Sequence, residues 1–240
     1  MSRFQRYAVY VMPDGPLARF GAAWLGWDAL SGRPVDHPVV AGLPRPLAEI
    51  TATPRKYGLH ATIKPPFRLA EGTTLAALMA DLAGLCDRQG PVTLDGLRLT
   101  RLGSFLALTP AGDTTALHAL AARAVTDLDR HRAPLTAADL ARRRAGAALT
   151  PAQEENLTRW GYPYVLDQFR FHITLTGSLP KPEATAVEAA LAPHLAPLLQ
   201  GPCTIDSLCL LGEDGAGLFH LIHRYPLGPA VSRSNTATSA

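Results

Sequence analysis

The triplets His60-Ala61-Thr62 and His172-Ile173-Thr174 each set an imidazole two residues before a hydroxyl, 112 residues apart (172 − 60). On an extended strand, side chains two apart share a face, so each triplet aims a histidine and a threonine at one point. Imidazole titrates near neutrality. If two such histidines face each other, one can take a proton from water while the other gives one to a leaving alkoxide. The hydroxyls of Thr62 and Thr174 can donate to the non-bridging oxygens of a phosphoryl group. Such a pairing suits phosphodiester chemistry and requires no metal. Strand parity extends both polar faces. Lys64 lies two residues beyond Thr62, Arg170 two before His172 and Thr176 two beyond Thr174, so these three are expected to bind substrate. Tyr57 immediately precedes the first motif strand and can stack on or hydrogen-bond the same substrate.

His-x-Thr alone is weak evidence, since about 0.7 copies arise by chance from eight histidines and twenty threonines in 240 residues. A lone strand histidine is most often a satisfied structural residue. Register gives the pair its weight. Thr93-Leu94-Asp95-Gly96-Leu97-Arg98-Leu99 matches Thr204-Ile205-Asp206-Ser207-Leu208-Cys209-Leu210 as T-[LI]-D-x-L-x-L, displaced by 111 (204 − 93), one residue from the displacement of the histidines. An internal duplication is the simplest cause. Two equivalent polar stripes within apolar strands are costly unless they line a site. No HxxxH, HxH or nearby carboxylate pattern accompanies the histidines, so neither a metal site nor a cofactor is expected.

Arg6 to Met12 is strand-like, and Leu17 to Leu30 is helical. Five prolines between Gly32 and Gly58 mark a long connection, with one helical turn around Pro46 to Ile50; such loops often cover a site. Leu59 to Ile63 is a strand expected to stop at Pro65-Pro66. Helix Thr74 to Gln89, strands Val92 to Thr100 and Ser104 to Thr109, and a helix from Thr114 to Arg132 complete the first half. The second half repeats the order: strand Phe169 to Thr176, helix Glu183 to Gln200, and strands Cys203 to Leu211 and Leu218 to Tyr225. Between them, Ala133 to Trp160 reads as two short helices. The second is signalled by Thr150, Pro151, Gln153 and Gly161.

The expectation is an α+β, bilobal duplicated fold with pseudo-twofold symmetry, two antiparallel sheets meeting in a central cleft and helices outside. Residues 1–228 form one domain of two lobes, about 1–132 and 161–228, joined by 133–160, and the first strand can join either lobe. The tail 229–240 is too poor in apolar residues to pack and is expected to be disordered. Arg142-Arg143-Arg144 could gather a second phosphate, although a run of charge on a helix is usually a solvated face.

Hydrophobic residues are 47% and charged residues 18% of the chain, and no apolar run approaches the ~18 residues of a membrane span. No membrane partner is therefore expected, and cytoplasmic is the expected location. Three cysteines without CxxC spacing read as buried, reduced thiols. A formal charge of +3 with 7% aromatics falls short of a nucleic-acid-binding surface, so the expected partner is a small anionic substrate. The sequence leaves the oligomeric state open.

His60-Ala61-Thr62-Ile63 and His172-Ile173-Thr174-Leu175 resemble the paired His-x-Thr/Ser-hydrophobic motifs of the two-histidine (2H) phosphoesterase superfamily. The flanks YGLHATIKPPF (Tyr57 to Phe67) and WGYPYVLDQFRFHITLTG (Trp160 to Gly177) are similar to its branch associated with carbon-phosphorus lyase operons and phosphonate use. The resemblance runs from about residue 5 to 227. It implies a metal-independent enzyme acting on a cyclic phosphodiester, with His60 and His172 catalytic and Thr62 and Thr174 holding the phosphoryl group. For that branch it points to a ribose cyclic phosphate such as 5-phosphoribosyl 1,2-cyclic phosphate. RNA 2′,3′-cyclic phosphodiesterase or ligase activity, or non-catalytic RNA or nucleotide binding, stand as alternatives.

Overall fold

A computed structural model describes residues 3–145 and 148–229; the tail expected at 229–240 lies, apart from Pro229, outside the described residues. The strands are β1 (Arg6–Val11), β2 (Trp27–Asp28), β3 (Arg33–Pro34), β4 (Ala61–Phe67), β5 (Val92–Leu94), β6 (Gly96–Leu102), β7 (Phe105–Ala111), β8 (Ile173–Thr174), β9 (Cys203–Ile205), β10 (Ser207–Glu213) and β11 (Phe219–Pro226). The helices are α1 (Gly15–Leu25), α2 (Leu47–Ile50), α3 (Ala52–Arg55), α4 (Leu75–Asp87), α5 (Thr115–Asp127), α6 (Ala137–Arg144), α7 (Pro151–Trp160) and α8 (Lys181–Leu195).

Helix ends follow local chemistry. Thr74 caps α4 by accepting from Ala77 N, and α7 has the Thr150/Gln153 capping box, Pro151 in its first turn and Gly161 in the left-handed conformation at its end. These side chains satisfy backbone groups that a helix end leaves without partners. A second capping box, Thr136 with Asp139, starts α6. Helix α8 ends at Leu195, short of the expected Gln200, two residues after Pro193 and ahead of a tight turn over Ala196–Leu198.

Seven strands form one antiparallel sheet in the order β11-β10-β1-β4-β8-β7-β6, and β5 pairs with β9 in a separate ladder. The two halves therefore meet edge to edge rather than as separate sheets, joined at the single pair Ala61↔Ile173. They also exchange strands. The first motif strand, β4, lies with β10 and β11 of the second half, while the second, β8, lies with β6 and β7 of the first. The lobes are thus interleaved, not the contiguous stretches 1–132 and 161–228. β1 settles between β4 and β10.

The duplication is visible as symmetry. Ala61 and Ile173 are equivalent residues, and they pair antiparallel. Thr93 and Thr204, also equivalent, pair antiparallel in the β5–β9 ladder with their Oγ1 atoms 3.2 Å apart. An antiparallel pair of equivalent residues lies on a twofold axis, so both pairs mark the pseudo-twofold. β1 breaks it: in one lobe β1 fills the slot beside the motif strand, and in the other β7 folds back into that slot.

One face of the sheet carries Tyr7, Val9, Val11, Ala61, Ile63 and Ile173 into a core shared with α1, α4, α5 and α8. Contrary to expectation, β4 runs through Pro65 and Pro66. It pairs with β8 only at Ala61, so beyond that point one edge is free, and its register against β1 shifts between Tyr7↔Phe67 and Val9↔Lys64. Free edges and bulges are where proline is tolerated within a sheet. β8 is shorter than the expected Phe169 to Thr176, because a tight turn at Leu166–Gln168 precedes it and only Ile173 and Thr174 reach strand partners on β7.

Candidate active site

Both motif histidines are held alike. His60 Nδ1 lies 2.9 Å from Gly58 O, and His172 Nδ1 lies 2.8 Å from Arg170 O. A carbonyl only accepts, so Nδ1 carries the proton in each ring and Nε2 is left with a lone pair whenever the ring is neutral. Thr62 Oγ1, 3.2 Å from His60 Nε2, donates to it. Each clamp uses the carbonyl two residues upstream, so the duplication preserves ring orientation as well as position. Gly58 can place its carbonyl there at φ +71, a left-handed conformation that side chains disfavour, and a Cβ on it would come within 2.7 Å of Ala29 Cβ.

His60 is buried. Its ring packs under Tyr10 at a centroid distance of 4.0 Å and beside Tyr57 at 5.4 Å. Burial, and to a lesser degree the neighbouring His172, lower its pKa to about 4 despite the stabilising bond to Gly58. At neutral pH the ring is uncharged. His172 is half-buried and lies 5.8 Å from the Phe105 ring.

A cleft of about 790 Å³ is lined by His60, Thr62, Thr174, Tyr10 and Tyr57, and by Arg6, Lys56, Arg68, Arg142 and Arg143. An adjoining recess of about 360 Å³ is lined by His172, Arg170, Phe105, Tyr164 and Phe169. Thr62, Pro65 and Tyr162 border both. The cleft thus holds His60, Thr62, Thr174 and Tyr57, and the adjoining recess holds His172 and Arg170. The proline-rich connection contributes Thr53, Pro54 and Lys56 to the wall of the cleft.

Two expected contacts are corrected. Lys64 is buried in the core, where Nζ donates to Val125 O at 2.9 Å and pairs with Asp129 at 3.3 Å. The register shifts between Val9↔Lys64 and Tyr10↔Thr62, and one extra residue in a strand reverses the faces of everything after it. Thr176, the equivalent position in the second repeat, is buried too: Leu106 N donates to its Oγ1 at 3.0 Å, and that hydroxyl donates to Gly177 O at 2.8 Å. Leu175 N and Thr176 N both reach Leu106 O, the mark of a bulge. The same irregularity after each His-x-Thr turns the fourth residue past the histidine inward.

Motif reading does not reveal Tyr10, whose ring covers His60 and whose hydroxyl is buried without a hydrogen-bond partner. It sits on an expected strand, but nothing in its neighbours distinguishes it. Tyr162 lies in the WGYPY stretch that precedes the second motif. The arginine run divides: Arg142 pairs with Asp139 at 2.6 Å, Arg144 bonds Glu154 at the surface, and Arg143 lines the cleft. Among the described residues no group of three or more His, Cys, Asp or Glu side chains converges as metal ligands would, and no helix is long and apolar enough to cross a membrane. The three cysteines are free, with Cys86 and Cys209 buried.

Antiparallel strands in an α+β frame carry two clamped His-x-Thr pairs to a cleft and the recess beside it. The chain belongs to the family described as a protein of unknown function, DUF1045, whose model matches residues 62–220. It is similar to two proteins named ribose 1,5-bisphosphate phosphokinase PhnN. That from Janthinobacterium sp. (strain Marseille) is 40% identical over 219 residues, covering 88% of this chain and 48% of the relative. That from Laribacter hongkongensis (strain HLHK9) is 38% identical over 215 residues, covering 88% and 49%. The chain therefore spans about half the length of these curated relatives. Escherichia coli LigT, in a crystal structure with NADP+, aligns over 95% of this chain and 99% of its own at 15% identity and a TM-score of 0.45, a likeness too distant to carry an assignment.

Proposed function

We propose that the chain is a metal-independent phosphodiesterase that opens a small ribose cyclic phosphate, with 5-phosphoribosyl 1,2-cyclic phosphate as the candidate substrate, in phosphonate metabolism. The observation that supports this reading is the matched Nδ1 clamp on His60 and His172, which leaves an Nε2 free of the backbone in each repeat, one lining the cleft and the other the recess beside it. Neutral His60 is the base. Its Nε2 takes a proton from water as the water oxygen bonds to phosphorus. The ester bond on the opposite side breaks, and the departing sugar oxygen receives a proton from Nε2 of His172, which enters the step as the imidazolium and leaves it neutral with Nδ1–H still on Arg170 O. With substrate bound, the Thr62 hydroxyl turns its proton from His60 Nε2, freeing that lone pair, to a non-bridging oxygen, and Thr174 donates to another as charge builds on them. The relatives' printed name adds chemical support: breaking the O2–P bond of the candidate substrate with water yields ribose 1,5-bisphosphate, the compound in that name.

A second reading, a nucleotide 2′,3′-cyclic phosphate, is favoured by the aromatic side of the recess. There Phe105 and Tyr164 offer faces on which a base could stack. One experiment separates these readings and tests the mechanism. Cyclic ribose phosphates and 2′,3′-cyclic nucleotides are assayed with wild type, His60→Ala and His172→Ala, with and without a chelator. Each substitution is expected to lower the rate by ~10² or more, the usual loss when a positioned acid or base is removed. Full activity in either variant, or abolition by chelator alone, overturns the mechanism.

A further inference from the structure

We propose that Arg143 marks a second anion site in the cleft, for a terminal phosphomonoester on the same molecule whose cyclic phosphate lies between His60 and His172. This deepens the proposed function and rests on it for the identity of the substrate.

The charges of the cleft wall are unevenly matched. Arg6 is taken by a two-pronged contact with Glu213, and Arg68 and Arg142 share Asp139. Arg143 and Lys56, which line the same cleft, have no carboxylate within ion-pairing distance among the described residues. Each instead rests on an aromatic face, Arg143 at 4.9 Å from the Tyr162 centroid and Lys56 at 4.9 Å from that of Tyr57. Arg143 Nε is buried with no hydrogen-bond partner. A buried donor left without an acceptor is costly, and a ligand oxygen would remove that cost. A planar guanidinium presents paired N–H groups that match phosphate oxygens. Two unmatched cations suit a dianion better than a second diester, which carries one charge. Burial above all, with Arg142 and Arg6, lowers the Arg143 pKa, and Tyr162 and the more distant Asp139 oppose them without restoring it, so an anion arriving there offsets a cost of burial.

Arg143 enters the cleft from the last turn of α6, stacked on Tyr162, whereas Thr62 and Thr174 line it from the strands β4 and β8. The expected ligand is therefore a sugar with a phosphomonoester at one end and a cyclic diester at the other.

Two measurements test the assignment independently of each other. In the first, binding of ribose 5-phosphate is measured by calorimetry. Arg143→Gln is expected to weaken it ~10- to 100-fold, the loss typical of one charge-assisted phosphate contact. Arg143→Lys is expected to recover part of the loss, and Arg144→Gln none to begin with, since Arg144 faces Glu154 at the surface. In the second, kcat/KM is compared for a cyclic ribose phosphate with and without the 5-phosphate. Wild type is expected to prefer the phosphorylated form, and Arg143→Gln to lose most of that preference. Unchanged ribose 5-phosphate affinity in Arg143→Gln, or an equal rate loss on both substrates, overturns the second site. If wild type opens no cyclic phosphate at all, the phosphodiesterase reading fails and the binding measurement still decides the anion site.

Discussion

At the scale of single residues, burial decides which histidine can act as the base. The His60 ring is shielded by Tyr10 and Tyr57, and its pKa falls to about 4 because the charged form loses hydration. A general base must be unprotonated, so the sign is fixed: the His60-dependent rate is present above about pH 4 and lost as the pH falls through that value. The expected acid limb of kcat/KM therefore lies well below the 6.5 of free imidazole. It should be recorded on a cyclic phosphate without a second phosphate, so that the enzyme's groups are read. An acid limb at 6.5 or above would remove His60 from the role of base. The same shift bears on stability. Between about 6.5 and 4 the unfolded chain takes up this proton and the folded chain does not, so stability declines as the pH falls across that window.

Among the elements, caps and helices were legible because their signals are local: Thr150, Pro151, Gln153 and Gly161 act where they stand in the chain. Each His-x-Thr pair was legible because it is local, although His60 and His172 stand one residue ahead of β4 and β8 rather than on them, and a direct contact joins only His60 to Thr62. Lys64 and Thr176 were not, because one bulged residue reverses parity and leaves no mark in residue type. Pro65-Pro66 misled in the opposite way, as the rule that proline stops a strand assumes partners on both sides, and β4 has one free edge there. Tyr10 was hidden because it matters through contact with His60, 50 residues away. The bulge can be tested through Lys64. Burial lowers its pKa to about 8 against the pull of Asp129, and Asp129 keeps Arg132 at 2.7 Å if Lys64 is lost. Removing one partner of a buried ion pair usually destabilises, and Lys64→Met also takes the donor from Val125 O. Lys64→Met is therefore expected to lower the melting temperature while keeping kcat/KM within about twofold. A tenfold loss at unchanged melting temperature would return Lys64 to the cleft.

For the whole molecule, the strand exchange ties the two halves into one folding unit, which no local signal announces because the partners are far apart in sequence. β4 needs β8 at its inner edge, the β10–β11 hairpin attaches through β1, and β8 has neighbours only from the first half. Their apolar residues enter a single core. Neither half can bury its sheet face or pair its edges alone, and unpaired edges favour aggregation over folding. Cutting the chain between α6 and α7, into residues 1–146 and 147–240, is expected to give two fragments without a cooperative thermal transition by circular dichroism. Mixing them is expected to restore that transition. The proposed catalysis sharpens the test, because His60 and Thr62 stay on one fragment while His172 and Thr174 stay on the other. Hydrolysis should appear only in the mixture and rise with the reassembled fraction. Should either fragment melt cooperatively alone, the halves are separate folding units, and activity in one fragment alone would refute a site shared across the pseudo-twofold.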